Sequence, residues 1–255
     1  MDAWQRAIAF MRNVDERAAE SVVPFRWGRA LISRRLDRVY DLNFLIADRV
    51  QEAGAPDLDA EAERIQGDAG LSHRRVNVDD RPAAERLSPA FGRLGYAPER
   101  FVIMAHRRRP DHDVDTAGVQ EVDWDVMRPA RERQIASQPW GADHRVVQQL
   151  LAKQELTAQG TRTRYFAALV DGAVASSCEL RSEGDTAQVE TVETLPEFRQ
   201  RGLSRAVAGA ALRAAAGYAF VFLVTDAEDW PQHYYRRLGF EPVGIESRFL
   251  RTIDG

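Results

Sequence analysis

The chain has 255 residues, of which 44% are hydrophobic and 29% are charged, and its formal net charge is -4. This composition is typical of a globular protein, and the length accommodates two domains of ordinary size. The acidic balance argues against a dedicated nucleic-acid-binding protein, and no apolar run approaches the roughly 20 residues that span a bilayer. The first residues also lack the pattern of a signal peptide, so we expect a cytoplasmic protein without membrane association.

The first half of the chain gives the weaker structural signals. Helical periodicity covers residues 3–20 and 59–65, and strand-like runs cover residues 38–46 and 74–78. These elements indicate a domain that contains both helices and strands.

A polar segment separates the two halves. Residues 106–109, His-Arg-Arg-Arg, are interpreted as the solvated edge of a linker, because charge runs usually face water. The Asp/His cluster at residues 111–115 has no second group of ligands at metal-site spacing, so no metal is predicted. Apolar periodicity is lost across residues 110–118, and we expect two domains, residues 1–113 and 114–255.

The second half alternates strands and helices, which favours a layered fold with both element types. Asp143 is a predicted N-cap and Gly239 a predicted residue just beyond a helix C-terminus. Tight turns at residues 171–172 and 183–185 predict hairpins. In chain order we expect a strand at 119–126, helices at 128–137 and 143–158, strands at 165–170, 173–180 and 187–195, a helix ending near 217, a strand at 220–224 and a helix at 229–238.

A repeated pattern links the two halves. Residues 91–98, Phe-Gly-Arg-Leu-Gly-Tyr-Ala-Pro, mirror residues 235–242, Tyr-Arg-Arg-Leu-Gly-Phe-Glu-Pro. Each copy is followed by a strand-like run, at 101–104 in the first and 243–250 in the second. Helix, glycine turn and terminal strand therefore recur in the same order, which indicates two related domains.

The most distinctive segment is residues 199–204, Arg-Gln-Arg-Gly-Leu-Ser, between a strand and an Ala-rich helix. The first N–H groups of a helix have no acceptor within it, and the helix dipole adds partial positive charge, so anions bind there. Gly202 allows a ligand to approach closely, the arginines add charge, and Ser204 offers a hydroxyl donor. The segment predicts a site for a phosphate or diphosphate.

Together with the glycine turn at Gly239, the order of strand, loop, helix and strand resembles the GNAT superfamily of acyl-CoA-dependent N-acyltransferases. The resemblance covers residues 119–252 well, and the first half looks like a degenerate copy, so the whole resembles a tandem GNAT protein. It implies an α+β fold of the α/β layer type, with two GNAT-like domains, each a mixed, mostly antiparallel central sheet flanked by helices. It also implies transfer of an acetyl or short acyl group from acetyl-CoA to a primary amine on a small molecule or peptide, without a metal.

The resemblance also assigns roles to single residues. Tyr235 falls on the family's usual general acid, and Ser204 departs from the family's final Gly or Ala. Asp226 stands where the family often has Asn, in contact with CoA or, as we favour, as a helix cap. Backbone N–H groups of residues 201–204 would hold the diphosphate. The residues implied in co-substrate binding are Val192, Glu193, Thr194, Arg199, Gln200, Arg201, Gly202, Leu203, Ser204 and Asp226.

The chemistry requires a base and favours an acid. An alkylamine with a pKa of about 10.4 is protonated at neutral pH, whereas a phenol with a pKa of about 10 can stabilise a leaving thiolate at modest cost. Side chains alternate along a strand, so Glu190 lies on the same face as Val192 and Thr194, and Glu193 lies on the other face. If Val192 and Thr194 border the acyl group, Glu190 is the carboxylate on that side. We therefore predict Tyr235 as the acid and Glu190 as the base; the alternative for Glu190 is a structural carboxylate that faces solvent.

The first half lacks both features, because Phe91 stands in the place of Tyr235 and no anion-binding loop is present. We expect it to be non-catalytic and to serve either packing or the shaping of an acceptor cleft between the domains. The alternative function is a non-catalytic acyl-CoA-binding or regulatory module, and a third is RNA association through residues 106–109. The acceptor, the acyl chain length and the choice between monomer and homodimer stay open. Cys178, the only cysteine, is expected to be a buried apolar residue.

Overall fold

The computed structural model describes residues 1–253. They form two compact units, and three strands, over residues 97–106, 220–226 and 240–252, are each divided between the units. The N-terminal unit comprises Trp4–Val102, Asp226–Glu228 and the chain from Gly244 onward, and the C-terminal unit comprises Met1–Ala3, Ile103–Thr225 and Asp229–Val243.

Within residues 1–253, the N-terminal unit is built from three helices and a sheet. Two short 3-10 helices, Arg34–Leu36 and Tyr40–Leu42, and a π-helical turn, Glu63–Gly67, complete it. Its elements are α1 (Ala3–Ala18), β1 (Ser21–Phe25), β2 (Gly28–Ile32), β3 (Phe44–Ala47), α2 (Ala55–Ala62), β4 (His73–Val78), α3 (Arg81–Arg93), the first part of β5 (Ala97–His106) and the second part of β11 (Phe240–Thr252).

The strands of this unit pair in the order β1-β2-β3-β4-β11. β1, β2 and β3 are antiparallel neighbours, β3 and β4 are parallel, and β4 and β11 are antiparallel. The expected strand over residues 38–46 is wrong for most of its length. Buried Asn43 stabilises turns there instead, since its side chain accepts from the Ser33 N–H and donates to the carbonyls of Leu36 and Val39.

Phe91 lies at the centre of the N-terminal core. It is fully buried, its ring stacks on Phe249 at 4.3 Å between centroids, and Tyr96 packs against its edge at 5.0 Å. Leu45 of β3 and Val76 of β4 belong to the same apolar cluster. The residue that stands in the place of Tyr235 therefore serves packing in this unit.

A buried ion cluster lies on the sheet of the N-terminal unit. The guanidinium of Arg12 contacts Asp79 and Glu246, each at 2.6 Å, and Arg248 contacts Glu246 at 2.8 Å. Asn77 donates to the same Glu246 carboxylate, which is fully buried. Burial alone raises the pKa of Glu246, but the neighbouring Arg248 and Arg12 outweigh it and lower the pKa to about 2. The cluster holds a buried anion in its charged form.

The C-terminal unit has four helices and a sheet of its own. It contains the last residues of β5, the first residues of β11, and two 3-10 helices, Pro139–Ala142 and Pro196–Phe198. The remaining elements are β6 (Val119–Val122), α4 (Trp124–Ala136), α5 (His144–Gly160), β7 (Arg162–Val170), β8 (Ala173–Glu183), β9 (Thr186–Thr194), α6 (Leu203–Ala214), β10 (Phe220–Asp226) and α7 (Pro231–Arg237).

The sheet of the C-terminal unit is mixed and mostly antiparallel, as expected. β10 pairs with β9 in parallel, and β9, β8, β7 and β6 follow as antiparallel neighbours. The predicted turn between β7 and β8 is confirmed, since Asp171 and Gly172 both have positive φ, 50° and 79°. The predicted strand from 119 ends at Val122, because α4 begins at Trp124.

Helices cover both faces of this sheet. Met127 and Ala130 of α4 pack on Tyr165 and Ala167, while the buried Cys178 thiol donates to the carbonyl of Val207 in α6. Asp143 caps α5 as predicted, accepting from the Arg145 N–H at 2.8 Å. Cys178 is buried as expected, and burial raises the pKa of its thiol above the ordinary value. None of the helices within residues 1–253 is long and apolar enough to cross a membrane.

Candidate active site

A β-bulge in β9 gives the site its shape. Glu179 of β8 lies opposite Glu190, but Ser177, two residues earlier, lies opposite Glu193, so β9 contains one extra residue. Thr191 in the bulge has φ 53°, a conformation that β-branched residues rarely adopt. Because of this extra residue, the side chains of β9 after the bulge point to the opposite face from the one that simple alternation predicts. Glu190 and Glu193 therefore lie on the same face of the sheet. The expectation that they lie on opposite faces is therefore wrong.

β9 and β10 separate next to this bulge. Their parallel pairing runs from Phe220 opposite Thr186 to Phe222 opposite Gln188, whereas β9 continues to Thr194 and β10 to Asp226. No further pairing between them is found among the described residues. The far ends of the two strands therefore leave backbone N–H and C=O groups of β9 available to a ligand.

The start of α6 faces the opening between these strands. Gly202 is the N-cap residue, with φ 76°, and no side chain caps the helix. The first turn of α6 contains no acidic residue, and a Cβ added to Gly202 would meet only open space. The first N–H groups of the helix are therefore free of a competing carboxylate, which suits an anion.

The arginines of the loop before α6 hold its backbone. Arg199 donates to the Thr194 carbonyl at 3.4 Å, and Arg201 donates to the Glu197 carbonyl at 3.2 Å. The Arg201 guanidinium also lies 5.3 Å from the ring centre of Phe198. Both arginines are exposed, so their charge is available to a ligand near the loop.

A cavity of about 660 Å³ joins these features. It lies among the end of β9, the loop and start of α6, the C-terminal end of α4 and the start of α7. Its lining residues are Gln134, Ser137, Gln138, Val192, Glu193, Thr194, Leu195, Pro196, Phe198, Arg199, Gln200, Gly202, Leu203, Ser204, Trp230 and Tyr234.

Most residues expected to bind the co-substrate line this cavity, but four expected site residues do not. Arg201 lines a second cavity of about 460 Å³ on the other side of the α6 start. Asp226 accepts from the Glu228 N–H at 2.7 Å and does not cap α7, whose N-cap is Trp230. Tyr235 and Glu190 lie next to the cavity rather than in its wall.

Two adjacent tyrosines of α7 occupy different environments. Burial raises the pKa of Tyr235 above its ordinary value, and Tyr234 and the charges of Glu190 and Glu193 raise it further. Burial raises the pKa of Tyr234 to about 12, opposed by the side chain of Ser204. The Tyr234 hydroxyl is buried and makes no hydrogen bond within residues 1–253. Both phenols are protonated at neutral pH, and Tyr235 lies near both candidate bases.

The two candidate bases have different partners. Glu193 accepts from Arg131 of α4 at 2.7 Å, and Arg131 also donates to Gln154 of α5 at 3.0 Å. Glu190 accepts from Gln188 at 2.5 Å. Arg131 therefore holds the Glu193 carboxylate by a charge-assisted hydrogen bond.

Sequence reasoning missed several residues at the cavity. Gln134 and Trp230 enter its wall through the packing of α4 and α7, and no local pattern marks them, whereas Tyr234 ranks below its neighbour Tyr235 as a candidate on sequence alone. Arg131 is likewise identified only by its bond to Glu193. Within residues 1–253, no group of three or more His, Cys, Asp or Glu side chains is placed to hold a metal ion.

Residues 123–240, which include every element around the cavity, match the family model described as the acetyltransferase (GNAT) family. This part of the chain is a GNAT acetyltransferase domain. GNAT enzymes transfer an acetyl group from acetyl-CoA to amine acceptors. The match begins one residue before α4 and ends at the first residue of β11, so it contains both the β9 bulge and the α6 start.

Solved structures support the same fold over most of the chain. A GCN5-related N-acetyltransferase from Kribbella flavida is 18% identical, with 99% of this chain and 96% of that chain covered and a TM-score of 0.61. A functionally unknown conserved protein from Staphylococcus epidermidis ATCC 12228 is 15% identical, with 92% and 94% covered and a TM-score of 0.67. A tandem GNAT protein from the clavulanic acid biosynthesis pathway is 14% identical, with 78% and 70% covered and a TM-score of 0.52. At these identities the likeness shows the fold alone. A search of curated protein sequences found no match to the chain.

Proposed function

We propose that the GNAT domain transfers an acetyl or other short acyl group from acyl-CoA to a primary amine. The observation that carries this proposal is the separation of β9 from β10 beside the bulge at Thr191, directly before the uncapped start of α6. An extended pantetheine arm can pair with the free edge of β9 while the diphosphate binds the helix start.

The loop and the start of α6 hold the co-substrate in this proposal. The backbone N–H groups of residues 201–204 are the proposed donors to the diphosphate, and Arg199 adds charge at the same cavity. Ser204 can donate its hydroxyl to a phosphate oxygen. Val192 and Thr194 offer backbone groups to the pantetheine arm, and both line the cavity.

Glu190 is the proposed base. In the reaction the neutral amine attacks the thioester carbonyl, the C–S bond breaks, and the nitrogen loses a proton. Glu193 is a weaker candidate, because Arg131 already holds its carboxylate at 2.7 Å. Since Glu190 lies next to the cavity rather than in its wall, proton transfer to it proceeds through a water.

Tyr235 is the proposed donor to the leaving thiolate. Its raised pKa makes complete proton transfer to an alkyl thiolate of pKa about 8.5 more costly than for a free phenol. The hydroxyl is therefore assigned to stabilise the thiolate by a hydrogen bond, with the proton released from the amine completing the exchange.

The deciding experiment measures thiol release from acetyl-CoA with a panel of small-molecule and peptide amines. We expect release with at least one acceptor, and loss of most of it in Tyr235→Phe. CoA binding by calorimetry without release on any acceptor, and without an effect of Tyr235→Phe, would support a non-catalytic acyl-CoA-binding module instead.

A further inference from the structure

An exposed tryptophan lies at the cavity of the GNAT domain. Trp230 has 66% of its surface exposed and lines the same cavity as residues 199–204. The backbone N–H of Trp230 donates to the Asp229 carboxylate at 2.7 Å, and its backbone is in the right-handed helical region, directly before α7. The backbone that carries this large, flat indole is thus fixed, while the ring stays open to solvent.

Contacts link Trp230 to the start of α6. The indole packs edge-to-face on Tyr234, with 6.1 Å between the ring centres and 66° between the planes. Tyr234 and Ser204, the second residue of α6, both line this cavity. Trp230, Tyr234 and Ser204 therefore form a continuous wall that leads from the open indole to the proposed diphosphate position.

Starting from the proposed function, we propose that Trp230 is the stacking surface for the adenine ring of acyl-CoA. The adenosine is bonded directly to the diphosphate, so it must lie beside the start of α6, whereas the thioester lies at the far end of the pantetheine arm. Adenine is the only flat aromatic part of CoA, and base–aromatic stacking is a general way to bind it.

The other walls of the cavity fit a different task. Gln134, Ser137 and Gln138, at the end of α4, and Glu193 are polar groups suited to hydrogen-bonding an acceptor. Trp230 has an apolar face and a single N–H donor. An indole next to the diphosphate position is therefore assigned to the nucleotide end of the co-substrate rather than to the acceptor.

The test compares CoA with 4′-phosphopantetheine, which lacks the adenosine. Calorimetry is carried out on the full chain with wild type, Trp230→Ala, Trp230→Phe and the control Trp140→Ala. Trp140 is 58% exposed in the same unit and is not among the residues that line the cavity. Thermal unfolding of each variant confirms that it is folded.

We expect Trp230→Ala to raise the Kd of CoA roughly tenfold and to leave the Kd of 4′-phosphopantetheine unchanged. Trp230→Phe should retain most of the affinity, and Trp140→Ala all of it. An unchanged Kd for CoA, or an equal loss for both ligands, would overturn the adenine assignment and leave the proposed function intact. An unchanged Kd for CoA with a raised KM for the amine would assign Trp230 to the acceptor. Failure of the wild type to bind CoA would overturn the proposed function itself.

Discussion

The parallel strand pairs of the two units, β3–β4 and β9–β10, share a topology but differ at their ends. In each unit a series of antiparallel pairs is followed by a parallel pair whose strands are joined through a helix. The β3–β4 pairing continues to Ala47 opposite Val78, the last residue of each strand, whereas the β9–β10 pairing stops at Gln188 opposite Phe222. A closed pair offers no backbone edge to a ligand, and an open pair does.

The helices that follow β3 and β9 also begin differently. α2 has Pro56 in its first turn, and the Asp57 carboxylate accepts from the Gly54 N–H at 2.9 Å. α6 has neither feature. A proline removes a donor and a carboxylate repels an anion, so α2 cannot hold a diphosphate. Strand separation and an uncapped helix start occur together in one unit and are both missing in the other.

Charged groups are also used differently in the two units. Glu246 is fully buried and compensated by two arginines in the N-terminal unit, whereas Glu193 lines a cavity in the C-terminal unit. The same topology can therefore support packing or a site, and local features decide which. Four substitutions test this comparison.

The largest expected effect is that of Gly202→Glu on CoA binding. A carboxylate at the α6 start adds bulk and like charge at the diphosphate position, and such juxtapositions cost several kcal/mol, so affinity should fall roughly a thousandfold. The matched control is Gly172→Glu, because Gly172 has φ 79° against 76° for Gly202 and is equally open. Both variants carry the same backbone strain, but only Gly202→Glu places a carboxylate at the proposed diphosphate position. A loss of CoA affinity in Gly202→Glu alone, measured by calorimetry, is therefore due to the site and not to strain. If the two variants bound CoA with equal affinity, the diphosphate site would lie elsewhere in the protein.

Glu246→Gln should destabilise the N-terminal unit by about 3 kcal/mol, because it removes one partner of a buried ion pair. Its pKa is about 2 in the folded chain and about 4.3 when unfolded, so its contribution is full above pH 4.3 and is lost as the pH falls toward 2. Between about pH 2 and pH 4.3, the free energy of unfolding of Glu246→Gln should therefore change less with pH than that of the wild type. Urea unfolding across pH measures both effects, with exposed Glu241→Gln as control. If Glu246→Gln lowered the free energy of unfolding no more than Glu241→Gln does, the buried ion cluster would not stabilise the N-terminal unit.

Tyr235→Phe should lower kcat about a hundredfold with little change in the Kd of CoA, because it removes a donor used in the transition state. Since its pKa is raised, Tyr235 stays protonated over the working range, and no loss of activity below about pH 10 should arise from it. Tyr218→Phe is the control, since Tyr218 bonds Ser182 and is not among the residues that line the cavity. Full turnover in Tyr235→Phe would exclude the phenol from the reaction.

Asp57→Ala should cost about 1 kcal/mol of stability through loss of an N-terminal hydrogen bond, and Asp57→Asn, which keeps an oxygen acceptor, should cost less. Combined with Gly202→Glu, Asp57→Ala should not restore CoA binding, because β3 and β4 remain paired to their ends. Thermal unfolding and calorimetry measure these effects. Restored binding would mean that the helix start alone, without strand separation, makes the site.

Local signals predicted much of the GNAT domain. Asp143 caps α5 and Gly239 follows α7 with φ 94°, because capping and left-handed conformations depend on single residues. The conformation of Gly202 at the start of α6, with φ 76°, depends on a single residue in the same way. These features need only a few neighbours along the chain.

The remaining features depend on tertiary contacts. Thr191 is β-branched, and nothing in its sequence context predicts φ 53°, so the bulge and the side assigned to Glu193 were missed. β1 and β2 were missed because Pro24 and short apolar runs weaken their strand pattern. Trp230 joins the cavity only when α7 packs beside α6, and that is set by the fold as a whole.

The division of β11 affects the order in which the chain can fold during synthesis. Arg12 leaves the ribosome long before its buried partner Glu246, which lies 234 residues later in the chain. Domains usually fold in the order of their translation. Here the N-terminal core also waits for Phe249, which stacks on Phe91. The N-terminal unit is therefore completed only after β11 has been made, and until then a nascent chain must protect the unpaired edge of β4.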